Sequence, residues 1–166
     1  MQETPFVETA SGILDTLHGI SFLREIDDRH LQSIFRMSKV ISYEQGEKII
    51  VEGACESHLF ILLTGEVKIT KYDAVVAWLR QTGDIFGEFA LIDLLPRSAT
   101  AIALMPTTCL TIDASYVDAL PAVDRAIIHA ILYKSLAQLL TERLRSTSEE
   151  LASLKRGIMS SSPVPA

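Results

Sequence analysis

The stretch FGEFALIDLLPRSATA, Phe86 to Ala101, decides the reading of this chain. A Gly-Glu step, Gly87-Glu88, sits where a strand gives way to a short apolar turn. A Pro-Arg pair, Pro96-Arg97, follows, and then the small-residue run Ser98-Ala99-Thr100-Ala101. These residue types suit an anion that carries a hydroxyl nearby. Arg97 supplies a planar fork that can bond two oxygens of an oxyanion at once. The small residues let the backbone approach closely, and Ser98 adds a hydroxyl donor. The segment after Gly87 is long enough for one helical turn, whose free N–H groups form an anion site. Glu88 is an acceptor suited to a hydroxyl, and Gly87 removes a Cβ where the chain must lie against the ligand. Taken alone, a Glu and an Arg near a turn would read as a surface ion pair of little worth. The ordered string, preceded by Gly83-Asp84, points to the site instead.

Working outward, the period of the chain changes twice. Residues 6–20 are weakly helical, with Gly12 and Gly19 interrupting. Ser21 to Met37 reads as an amphipathic helix with Phe22, Ile26, Leu31, Ile34 and Phe35 on one side. Strands are expected at Lys39 to Tyr43, Glu47 to Val51, His58 to Leu63, Glu66 to Lys71, Ala74 to Arg80, Thr100 to Leu104 and Thr108 to Ile112. Turns fall at Glu44-Gln45-Gly46, Gly53 to Ser57 and Thr64-Gly65, and a hairpin is expected around Tyr72-Asp73. Many short strands at close spacing imply a mainly β fold, a jelly-roll or small barrel with flanking helices.

From Ser115 the chain turns helical. Ser115 can cap a short helix to Leu120, and Pro121 suits the first turn of a second helix running to about Arg156, with Gly157 ending it. Ala130, Tyr133, Ala137, Leu140, Leu144, Thr147, Leu151, Leu154 and Ile158 alternate three and four apart, a heptad seam. From Leu140 on, the seam finds no evident cover in its own chain, so a parallel helix dimer is expected. A single amphipathic helix docked on its own barrel is the alternative. The expected organisation is a helical extension over 1–20, a β-roll over 21–120, a hinge and dimer helix over 121–157, and a disordered Ser/Pro-rich tail over 158–166.

Composition narrows the classes. The chain has 166 residues, 48% of them hydrophobic, enough for one cored domain with an extension. A net charge of −6 argues against a nucleic-acid surface, although Arg143, Arg145, Lys155 and Arg156 lie close together. Cys55 and Cys109 make no disulfide framework. The N-terminus MQETPFVETASG is polar and acidic, unlike a signal peptide, and no apolar run has the length of a membrane span. A cytoplasmic, reducing setting is the expectation.

In this order GEKIIVEG, LFILLTGEVKI, GDIFGEFALI and PRSATA are similar to motifs of the cyclic nucleotide-binding domain family, and the resemblance covers about residues 20–155. It implies an N-terminal helix, an eight-stranded jelly-roll and a long C-terminal helix. It implies that Gly87, Glu88, Phe89 and Ala90 line the ribose and phosphate, that Arg97, Ser98 and the adjacent Ala99 meet the phosphate, and that Ile69, Ala77 and Trp78 flank the base, with Trp78 stacking on a purine. RLRSTSEELASL, from Arg143, resembles the dimer helix of the catabolite activator group of that family. That likeness implies that Arg143, Thr147 and Ser148 lie at the ligand, with the Thr-Ser pair contacting adenine and the serine reaching from a partner subunit. A polar Thr147 in an apolar seam fits this, since it weakens a dimer unless something satisfies it.

The resemblance implies a second-messenger sensor, not an enzyme, with cyclic AMP as ligand and cyclic GMP as the alternative through Ser98. No further cofactor is expected. The catabolite activator group continues into a DNA-reading domain; this chain stops soon after the dimer helix. Direct DNA binding is therefore not expected, and the output is expected to pass to a partner protein. Ligand would draw barrel and C-terminal helix together, with Ser115 to Leu120 as hinge. Two other classes compete. A jelly-roll metal enzyme would need clustered ligands, but His18, His30, His58 and His129 are scattered, and Cys55 with His58 has no second pair. A ligand-free interaction module has no use for an unpaired buried charge at Arg97.

Overall fold

The computed structural model describes residues 2–5, 29, 32, 38–92, 95–113, 115 and 121–160. Nine strands occur among them: β1 Gln2–Pro5, β2 Ser38–Tyr43, β3 Lys48–Ile50, β4 His58–Thr64, β5 Val67–Lys71, β6 Ala74–Leu79, β7 Ile85–Phe86, β8 Thr100–Ala103 and β9 Thr107–Asp113. They form two antiparallel sheets, in the orders β1-β2-β9-β4-β7 and β3-β8-β5-β6. The chain divides into two units, 1–129 and 130–166, and both sheets belong to the first.

The patterning of each strand explains its place. In β2, Val40, Ile41 and Tyr43 are buried while Lys39 and Ser42 are exposed; the adjacent Val40 and Ile41 point to opposite faces, so both faces of the strand are covered at its centre. In β4, which lies between β9 and β7, the run Leu59 to Leu63 is buried throughout, so both faces of this strand are covered. Ile41, Tyr43, Phe60, Leu62, Phe86 and Cys109 of the first sheet meet Ile49, Ile50, Val67, Leu79, Ala101 and Ala103 of the second in one core. The rings of Phe60 and Phe86 stack with centroids 5.2 Å apart. Burial in this core pushes the Cys109 thiol up to about 12, so it stays protonated and inert, whereas Cys55 is exposed.

The expected strands are present, with ends shifted by a residue or two. The Tyr72-Asp73 hairpin also forms. Both residues take positive φ, 49° and 64°, the geometry a two-residue turn needs to match the twist of its strands.

Two findings differ from the sequence reading. Gln2–Pro5 is a strand, inside the extension expected to be helical; it pairs antiparallel with β2, from Gln2↔Ser42 to Pro5↔Lys39. At the sheet edge Pro5 needs no ladder N–H, and no alternation in QETP signals the pairing. The C-terminal helix, α1, spans Ala122–Ser160, so Gly157 does not end it and three residues of the expected tail are helical. Pro121 stands just before the first turn, and its carbonyl accepts from the Arg125 N–H at 2.9 Å. The Ser21 to Met37 helix, apart from Arg29 and Gln32, and residues 116–120 of the hinge lie outside the described residues.

Candidate functional site

The site begins with a turn that only glycine fits. β7 ends at Phe86, and Gly87 caps the 3-10 turn Glu88–Leu91 in the left-handed region, φ 72°. A Cβ there would lie 3.0 Å from the His58 carbonyl oxygen, 3.0 Å from Ile50 Cδ1 and 3.1 Å from Arg97 Nη1. Glycine therefore serves twice, for its backbone angle and for the close approach of three neighbours. Gly87→Ala is expected to weaken ligand binding more than stability, because the added methyl presses on the arginine. Calorimetric titration alongside thermal unfolding checks this.

Arg97 is held from both backbone and side chain. Its N–H donates to the Ala54 carbonyl at 2.8 Å, and its own carbonyl accepts from the Gly53 N–H at 2.8 Å. Nη1 donates to the Gly87 carbonyl at 2.9 Å and Nη2 to the His58 carbonyl at 2.6 Å. The residue is only 7% exposed, and Nε is buried with no hydrogen-bond partner. A buried cationic N–H without an acceptor is costly in a folded protein and marks a place for an anionic acceptor. Burial lowers the affinity of the guanidinium for its proton, and the carboxylates of Glu56 and Glu88 partly offset that. Glu88 itself is 5% exposed.

The sheet register joins these residues to the expected base-flanking positions. Ile50 pairs with Ala101, Ala101 with Ile69, and Ile69 with Ala77. These four residues make one row across all four strands of β3-β8-β5-β6. Ile69 packs on the core, so the row lies on the inner face, the face whose Ile50 touches the Gly87 turn. Gly87, Glu88, Phe89 and Ala90 are thus gathered on the 3-10 turn. Arg97 lies against it, and Ile69 and Ala77 share the inner face. Ser98 is exposed and Ala99 half-buried as the chain leads into β8.

Trp78 is the exception. It pairs with Lys68 on the other face of the hairpin, half exposed, with the Arg80 guanidinium 5.2 Å from its ring centroid. A side chain next to Ala77 on a strand points the opposite way, so Trp78 and Ala77 project from opposite faces of β6. Arg143, Thr147 and Ser148 belong to the second unit. Arg143 is half-buried, and Thr147 and Ser148 are exposed on α1.

Sequence reasoning missed the anchors of Arg97. The carbonyls of Ala54, His58 and Gly87 are backbone groups that leave no compositional trace. Glu56 had a usable signal, a carboxylate inside the turn that follows GEKIIVEG. Among the described residues, no three His, Cys, Asp or Glu side chains gather as a metal set, and no helix is long and apolar enough to cross a membrane.

The profile of the cyclic nucleotide-binding domain family matches residues 40–123, half of the chain. The chain belongs to the cyclic nucleotide-binding domain family. The cGMP-dependent protein kinase of Eimeria tenella is 34% identical over 122 residues, which are 74% of this chain and 11% of that protein. The chain spans 11–14% of the length of the curated relatives it matches. Among solved structures, PKAR CBD2 with Sp-2Cl-cAMPS bound is 27% identical with a TM-score of 0.67, covering 90% of this chain and 95% of that one. The catabolite activator protein of Thermus thermophilus is 25% identical with a TM-score of 0.64, covering 81% and 62%. The matched family is a ligand-binding, regulatory domain.

Proposed function

We propose that this chain is a cyclic nucleotide sensor that prefers cyclic AMP and signals to a partner protein through its C-terminal helix. One observation carries the reading: Arg97, 7% exposed, presents a buried and unpartnered Nε–H beside the left-handed Gly87 turn. The phosphodiester of the ligand would take that donor and the N–H groups of the 3-10 turn, and Glu88 would take the ribose hydroxyl. Ile69 and Ala77 would flank the base. Trp78 is not part of this site.

The preference for cyclic AMP rests on Thr147 and Ser148, offered to adenine from the C-terminal helix of a homodimer. Leu144, Leu151 and Leu154 are 69%, 50% and 59% exposed on α1, and their spacing with Thr147 is that of a coiled-coil seam. A partner helix would cover them. We place the sensor in the cytoplasm, without a further cofactor and without direct contact to DNA. A second reading, cyclic GMP as the ligand, is favoured by the 34% identity to a protein named for cGMP and by the exposed Ser98 hydroxyl next to Arg97.

Calorimetric titration of the folded, nucleotide-free protein with cyclic AMP and with cyclic GMP separates the readings. Cyclic AMP is expected to bind more tightly, at micromolar affinity or better, roughly −8 kcal/mol. Thr147→Ala is expected to narrow the margin with circular dichroism unchanged; an unaltered preference counts against the adenine contact. No heat with either nucleotide would leave a dimeric interaction scaffold as the better reading.

A further inference from the structure

Asp113, the last residue of β9, carries an unusual load. A single carboxylate oxygen, Oδ1, accepts from the Ser57 hydroxyl at 2.9 Å, the Ser115 backbone N–H at 3.0 Å and the Ser115 hydroxyl at 2.8 Å. The Ser115 hydroxyl, the expected cap of the next segment, donates here to Asp113; the residues it would cap lie outside the described ones. Burial alone would raise its pKa, but these hydrogen bonds and the nearby His58 together hold it below the usual carboxylate value. Asp113 also pairs across strands with His58.

The residues on the β4 side of this network are those that hold the arginine. His58 gives its carbonyl to Arg97 Nη2, and Gly53 and Ala54 bracket the Arg97 backbone. The segment 53–58 is therefore tied to Arg97 at Gly53, Ala54 and His58, and through Ser57 to Asp113, which in turn holds Ser115. Anything that draws the guanidinium toward a new acceptor pulls on the His58 carbonyl. That residue lies next to Ser57 and opposite Asp113, where the chain leaves the sheet for its C-terminal helical part.

We propose that segment 53–58 and Asp113 form a latch that couples the state of Arg97 to the start of the C-terminal segment at Ser115, with Asp113 as the positioning residue. The inference rests on the sensor reading above, since it takes the ligand phosphate to be what moves Arg97. Asp113 touches no ligand, and its removal acts on the response while leaving recognition in place.

The test compares two readouts in wild type, Asp113→Ala and Ser57→Ala. One is calorimetric affinity for cyclic AMP and for cyclic GMP. The other is the change that saturating nucleotide makes in hydrogen–deuterium exchange over residues 113–129. Both variants are expected to bind within about threefold of wild type and to keep less than about half of the ligand-induced change. A full change in both variants, or no change in wild type on binding, overturns the latch alone. No binding of either nucleotide by wild type overturns the sensor reading and the latch with it. Should Asp113→Ala fail to fold, Ser57→Ala, which removes only the β4 leg, decides the outcome.

Discussion

Replacing Arg97 by alanine is expected to weaken cyclic nucleotide binding by at least tenfold, and by closer to a hundredfold if two bonds to the phosphate are lost. Each hydrogen bond to a charged group is worth roughly 1.5–3 kcal/mol, and tenfold corresponds to about 1.4 kcal/mol. Two donors of this guanidinium are already committed to the Gly87 and His58 carbonyls, so the side chain is ordered before ligand arrives and has only to shift toward the phosphate. The ligand does not have to order a flexible side chain, and the loss on truncation falls on binding energy, not on ordering entropy. Arg97→Lys separates charge from geometry: it keeps the positive charge but has one nitrogen in place of the planar fork whose three nitrogens face separate acceptors, so its affinity should fall between the two. Titration at a temperature below each variant's unfolding midpoint checks both. Wild-type affinity in Arg97→Ala would remove the arginine from the site.

The cassette was legible in the sequence because its parts are contiguous. Gly87, Glu88 and Arg97 lie within eleven residues, and their chemistry suits one anion whatever the register of the sheets. The positions across the sheet were harder, and Trp78 shows why. Counting back from the Tyr72-Asp73 turn with no irregularity would put Trp78 opposite Val67, on the inner face. The register instead slips between Ile69 and Thr70, so that Ile69 meets Ala77 and Lys68 meets Trp78. One extra residue in β6 flips every later side chain of the strand. No feature of AVVAWL announces that bulge. Strand β1, the carbonyl anchors of Arg97 and the triple load on Asp113 were hidden for a related reason. The first two depend on backbone groups brought together from distant parts of the chain, and the Ser57 bond to Asp113 spans 56 residues; side-chain patterning records none of these.

Gly65→Ala is expected to have the largest effect on stability with the smallest effect on the ligand. Gly65 links β4 to β5 with φ 101°, a conformation that alanine rarely adopts. An added Cβ would overlap the Thr107 hydroxyl and lie 2.7 Å from Thr107 Cα and 2.8 Å from the Pro106 carbonyl oxygen. Two of these three neighbours are backbone, so nothing flexible can swing aside. Thr107 cannot retreat, because it is 1% exposed and its hydroxyl donates to the Met105 carbonyl at 2.7 Å. The Glu66 carbonyl also accepts from the Leu104 N–H at 2.9 Å, which locks the β4–β5 turn against the β8–β9 connection. The methyl must push these two apart, so backbone strain and overpacking add to a cost of about 2–5 kcal/mol. At this chain length that lowers the unfolding midpoint by roughly 10 °C. A thermal melt followed by circular dichroism reads the shift, and nucleotide affinity measured well below the midpoint should stay within about threefold of wild type. Gly87→Ala should show the reverse balance, because its nearest neighbours include the arginine that would hold the ligand. Equal losses of affinity in the two glycine variants would mean that the turn at Gly87 acts only through the fold.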